Sequence, residues 1–358
     1  MTVDAILGIG PLLGVGLLTS VFVAVNVGGS STGVCFGPAV GSDIISLRGA
    51  SALMAVFALL GGVVVGPNVV DTMGNGLVPP ERFTLAASAA VLLFTGIALV
   101  LSNYLRISAS TSQIAVVAIA GMGVALGVLN WSTFGVILTW WILSAIISFW
   151  ISVVIGRYLY DRLVATLDFG DEGEKSRYAQ MLVLGVGCYM AFSAGASNVA
   201  NAVAPLVGSE AVGMTPAVVM GGVAIGAGAF LIGPRTMKTI GNEITDISLE
   251  AALVIETTAA TIITLLSWAG IPASLAIVAT LSVIGLGWGR STKRVPVGSE
   301  VAVGELSEEE KRKVREDSLE LYSLSTSRRI VATWIVAPIL AGTLAFAAFG
   351  AAVLAGLI

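Results

Sequence analysis

Small hydroxyl and amide side chains recur in register along this chain. Asn26 opens NVGGSSTGVCFGPAVGS and, 167 residues on, Ser193 opens SAGASNVANAVAPLVGS; Ile107 opens ISASTSQ and, 164 residues on, Ile271 opens IPASLAI. Ser30, Ser31, Thr32, Ser110, Thr111 and Ser112 in the first copy, with Ser197, Asn198, Asn201 and Ser274 in the second, are neutral hydrogen-bonding groups set in apolar sequence. Glycines and hydroxyls at membrane depth imply backbone that leaves the helix beside a wet or protein-filled cavity. Helix N-termini carry unpaired N–H groups and partial positive charge, so four broken ends meeting there would cradle a tetrahedral oxyanion without an arginine. Close helix packing through small residues is the other use of such motifs. A third repeated pattern, G-P-x4-T-x-G-N, begins at Gly66 and again at Gly233, so the chain is two copies of one unit.

The elements that must position these residues are membrane helices. Of 358 residues, 56% are hydrophobic and 11% charged, whereas a soluble domain carries about 25% charged residues. Apolar stretches run near 4–25, 50–70, 84–103, 114–130, 132–156, 179–192, 211–232, 249–270, 273–289 and 330–357. With the two Gly/Ser-rich segments they predict an all-α integral membrane protein of about 10–12 embedded segments, with broken or re-entrant helices. The chain should be a multi-pass protein of the cell membrane, in contact with the lipid bilayer, and its first segment reads as a retained helix.

Several functions are disfavoured by composition. A net charge of −4 without a large basic block argues against nucleic acid. There is no histidine, and Cys35 and Cys188 read as buried small residues, so no metal cluster, cofactor or activated nucleophile is expected and the chain does not read as an enzyme. Trp131, Trp268 and Trp288 lie near span ends as interface anchors, and Asp43 and Asp71 near segment ends. Glu256 differs: it is an acid deep in an apolar span, where an ionisable group is expensive and points to function.

Charge also predicts topology. Residues 157–177 and 290–329 together hold 13 of the 18 lysines and arginines, which places both segments on the cytoplasmic side. Ser307 and Glu310 resemble a capping box opening a solvated helix there. After ISASTSQ the first copy passes through the uncharged link 129–133, whereas after IPASLAI the second enters the charged 290–329 segment. Equivalent points on opposite faces predict inverted repeats: residues 1–156, a cytoplasmic linker at 157–178, and residues 179–358.

The motifs resemble those of the inorganic phosphate transporter (PiT) family. Asn26-Val27-Gly28 followed by FGPAVGS, and GASNVANAVAPLVGS in the second copy, are similar to its duplicated N-I-G-A-N-D-V-A-N…FGTSVGS and G-A-N-D-V-A-N-A…GPL signatures. GPRTMKTIGNEIT resembles its G-x-R-x-x-x-T-x-G segment, SASTSQ and PASLAI resemble its P-V-S-T-T-H segments, and Glu256 stands where the second copy of the family has a membrane glutamate. The resemblance implies a secondary transporter that moves inorganic phosphate by cation-coupled symport and alternating access. Both signature aspartates are absent: Ser30-Ser31 and Ser197-Asn198 replace the Asn-Asp pairs, Val34 replaces an Asn, and Gln113 and Ile277 replace the histidines. A coupling ion, Na+ or H+, is then left to Asn26, Asn198, Asn201 and Glu256. The N-x-G-x-S form of the first motif also resembles the sulfate-permease branch, and a site without acids suits sulfate, an acceptor only, at least as well as phosphate. An anion channel of similar construction and a homo-oligomeric assembly stay open.

Overall fold

Helix is the obligatory local solution for these stretches, since backbone polar groups at membrane depth find no water and must bond within their own segment. The computed structural model describes residues 3–104, 110–167, 177–243, 248–293 and 324–357. The first copy comprises α1 (Val3–Gly41), α2 (Leu47–Val64), α3 (Gly66–Asp71), α4 (Leu85–Tyr104), α5 (Thr111–Ala125) and α6 (Trp131–Val154), followed by α7 (Tyr160–Leu167). The second comprises α8 (Arg177–Gly208), α9 (Met214–Leu231), α10 (Gly233–Glu243), α11 (Leu249–Trp268), α12 (Leu275–Lys293) and α13 (Leu324–Leu354). No strand occurs among the described residues.

Each of the ten apolar stretches is helical, and nine helices among the described residues are long and apolar enough to cross a bilayer. The exception is α5, with 15 residues. The chain is therefore a multi-pass membrane protein. Trp131 and Trp268 stand 67% and 72% exposed at helix ends, as anchors in the interface would.

The helices do not break where the Gly/Ser-rich motifs lie, which corrects the sequence expectation. The first motif is inside the 39-residue α1 and the second inside the 32-residue α8. Their hydroxyls are satisfied without leaving the helix: Ser30 donates to the Val27 carbonyl at 3.0 Å and Thr32 to the Gly28 carbonyl at 2.6 Å. Breaks fall instead at the Gly-Pro steps, where α2 gives way to α3 and α9 to α10, and at the starts of α5 and α12.

The glycines of the motifs serve packing between the copies. A methyl group on Gly28 would collide with the Ile225 carbonyl of α9, and one on Gly195 with the Ala58 carbonyl of α2. Likewise Gly61 lies on the Phe192 carbonyl and Gly228 on the Val25 carbonyl. Each contact is the counterpart of another at the 167-residue offset, so the copies meet reciprocally, as the halves of a two-fold dimer do. The same exchange recurs at the periphery: Gly121 of α5 lies against Gly342 of α13, and Gly285 of α12 against Phe149 of α6. Even the turns agree, because Asp43 (φ 58°) and Glu210 (φ 56°) hold equivalent left-handed positions.

Helices α1 and α8 run antiparallel. Gly16 lies beside Leu206, Ser20 donates to the Ala202 carbonyl at 2.7 Å, and Phe36 packs on Gly187. Gly195→Val should therefore abolish recovery of folded protein, whereas Gly185→Ala, with nothing within 4 Å of the added methyl, should be tolerated. Size-exclusion profiles and thermal unfolding of the detergent-purified variants check this. Comparable profiles for both would show that the interface between copies has room to adjust.

The polar segment expected as a linker at 157–178 begins as helix: α6 continues through a π-helical turn, Ile155–Leu159, into α7. The first residues of ISASTSQ and the Ser307–Glu310 capping box lie outside the described residues.

Candidate functional site

One turn of α8 carries the site. Asn198 and Asn201, three residues apart, share a helix face, and Nδ2 of Asn201 donates to Oδ1 of Asn198 at 3.2 Å. Facing them is the first turn of α5, whose Thr111 and Ser112 hydroxyls donate to Asn198 Oδ1 at 3.1 and 3.3 Å and accept from Asn201 Nδ2 at 3.2 and 3.3 Å. Nδ2 of Asn198 donates to Ser31 Oγ of α1 at 3.3 Å. Ser31 and Asn198 are 167 residues apart, hence equivalents. A residue touching its own counterpart lies on the axis relating the copies, so the cluster is central to the fold.

Ser197 looks another way, because neighbouring helix positions point about 100° apart. Its hydroxyl donates to the Ala273 carbonyl at 3.0 Å, against the loop that enters α12. Ser110 and Ser274 are the N-caps there: Ser110 accepts from Gln113 N–H at 3.4 Å and Ser274 from Ile277 N–H at 3.3 Å. Two helix N-termini thus flank one turn of α8, instead of the four expected, since α1 and α8 have no break to contribute. Both bring partial positive charge to a buried neutral cluster. Ser112 and Ser197 are fully buried, and Ser31, Ser110, Thr111, Asn198, Asn201 and Ser274 nearly so.

Not every residue singled out in the sequence reaches this cluster through a hydrogen bond. Ser30 and Thr32 bond within α1, Thr32 packing against Gly233, and Asn26 donates to the Phe22 carbonyl of its own helix at 2.9 Å. Glu256, on α11, is 5% exposed with Oε1 unpartnered. Of the four residues left for a coupling ion, Asn198 and Asn201 are hydrogen-bonded to each other. Sequence reasoning missed Gln113. Its Oε1 is buried without a partner in the first turn of α5, and its place at the end of SASTSQ was the available signal.

Unpartnered acceptors are the chemically informative atoms. Oδ1 of Asn201 makes no hydrogen bond although the residue is 1% exposed. A buried acceptor without a donor costs about 1–3 kcal/mol, so a bound donor or cation would be favoured beside it. The arrangement offers hydroxyls and helix N-termini to anionic oxygens, and amide oxygens to a proton or cation.

The sequence profile of the Phosphate transporter family matches residues 27–168 and 161–345. The sulfate permease CysP of Bacillus subtilis (strain 168) is 31% identical over 281 residues, 78% of each chain. Among solved structures, one titled "The sodium-dependent phosphate transporter" superposes with a TM-score of 0.72 over 96% of this chain and 99% of its own, at 20% identity.

Proposed function

The chain belongs to the Phosphate transporter family, and from that premise we propose that it is a secondary transporter moving inorganic phosphate by alternating access, coupled to Na+ or H+. The observation that carries this reading is the buried neutral cluster of Ser31, Thr111, Ser112, Asn198 and Asn201 at two helix N-termini on the axis between copies. Its hydroxyls, with Ser110, Ser197 and Ser274 beside them, would turn from Asn198 towards phosphate oxygens. Asn201 Oδ1 would accept the proton that hydrogen phosphate keeps and sulfate lacks, which supports phosphate first. Ser30 and Thr32 sit one helix position either side of Ser31 and would take part only if α1 rotates during the cycle.

The copies are read as inverted repeats spanning 1–156 and 179–358, joined through 157–178 on the cytoplasmic side. Equivalent helices that cross a bilayer antiparallel are related by a two-fold lying in its plane, and the antiparallel run of α1 and α8 supports that reading. Asn198, Asn201 and Glu256 offer the oxygen atoms a hard cation takes, and Asn26 would add its amide oxygen from α1.

Uptake of labelled phosphate and sulfate into proteoliposomes, with and without an imposed Na+ or pH gradient, tests the reading. Phosphate should accumulate above the outside concentration only under a gradient. Accumulation of sulfate alone would assign the chain to sulfate transport, and downhill flux of either anion without accumulation would make it a channel.

A further inference from the structure

The shared exit of α6 and α12 carries cationic and aromatic groups that the central cluster does not use. The two helices are parallel, with Gly285 on the Phe149 carbonyl and Gly289 on the Val153 carbonyl, so they leave the apolar zone side by side. There Arg157 donates to the Thr292 carbonyl at 2.7 Å, and the Arg290 guanidinium lies 4.5 Å above the ring centroid of Tyr160. Tyr160 is itself fixed, being buried and bonded through its hydroxyl to Ser248 Oγ at 2.7 Å. Among the described residues no ion pair joins either guanidinium to a carboxylate.

Towards the bilayer the same surface becomes aromatic. Trp288 stacks on Phe149 with centroids 5.6 Å apart and meets Trp150 edge-on at 5.8 Å. Trp150 and Trp288 nevertheless remain 52% and 46% exposed, so the cluster presents indole faces to its surroundings. Two guanidinium groups above two exposed indoles at a span end match one kind of molecule: phosphate oxygens outermost, glycerol and hydrocarbon beneath. A free phosphate ion would leave the indoles without purpose.

We propose that this surface binds the phosphodiester headgroup of an anionic phospholipid in the adjoining leaflet, Arg157 and Arg290 taking the phosphate oxygens and Trp150 and Trp288 the glycerol and first acyl carbons. The lipid ties α6 of one copy to α12 of the other. Native mass spectrometry of the full-length protein titrated with phosphatidylglycerol or phosphatidylcholine reads the binding directly. The anionic lipid should bind about tenfold more tightly than the zwitterionic one, and Arg157→Gln combined with Arg290→Gln should remove that preference. Arg290→Gln alone keeps the Arg157–Thr292 bond, so helix packing is spared, and it should still lose several-fold. An unchanged preference in both variants overturns the proposal. So does displacement of the lipid by excess inorganic phosphate, which would mark a site for the free anion.

Discussion

Asn198→Ala is expected to reduce phosphate uptake at least about 100-fold in kcat/KM while the protein still folds. The substitution takes away the acceptor for Thr111, Ser112 and Asn201 and the donor to Ser31 at once. Each buried polar group left unsatisfied costs about 1–3 kcal/mol, and two such losses at a site that must close around an anion amount to two decades or more in rate. Helix packing is separate from this loss, because the close backbone contacts that join the copies are made at the glycines and not by the Asn198 side chain. Initial-rate uptake in proteoliposomes, with thermal unfolding measured in parallel, checks it. A variant that transports at the wild-type rate would remove the cluster from the substrate path. Asn198→Asp tests selectivity at the same position: a carboxylate accepts from hydrogen phosphate and repels sulfate, so the ratio of phosphate to sulfate uptake should rise about tenfold.

Glu256→Gln should leave phosphate binding close to wild type and abolish its accumulation against a gradient. Glu256 is buried in α11 with one carboxylate oxygen unpartnered, a position that an ionised group holds only with a cation or proton beside it. Glutamine keeps the shape and removes the charge, so the driving ion loses its ligand while the cluster on α8, which makes no hydrogen bond to Glu256, is undisturbed. Binding measured calorimetrically and the final accumulation ratio under an imposed Na+ or pH gradient separate the two effects. If the glutamine variant concentrates phosphate as wild type does, coupling rests on the amide oxygens of Asn198 and Asn201 and on backbone carbonyls.

Much of this was legible in the amino-acid sequence, and for identifiable reasons. Bilayer thickness demands long apolar runs, so all ten helical stretches could be read from hydropathy. Duplication was visible because packing that repeats needs the same small residues at the same offset; Gly28 and Gly195, or Gly61 and Gly228, are glycine in both copies because backbone carbonyls lie where a side chain would stand. Family membership followed from those motifs together with SASTSQ and GPRTMKTIGN.

Composition and spacing by themselves determined that this chain spans a membrane as two copies of one unit and carries neutral polar groups where an anion would need them. Tertiary structure decided which of those groups meet. Sequence marks Ser30, Ser31 and Thr32 as equals, yet rotation about the helix axis sends Ser31 to Asn198 and Thr32 to the side of Gly233. Nor could glycine content reveal that α1 and α8 run unbroken, since the same residues that permit a break also permit close packing, and the hydroxyls of Ser30 and Thr32 find acceptors within the helix itself. The contact between Ser31 and Asn198 belongs to the structure alone, for a repeat offset says that two residues are equivalent and only the approach of the two helices places them on a common axis.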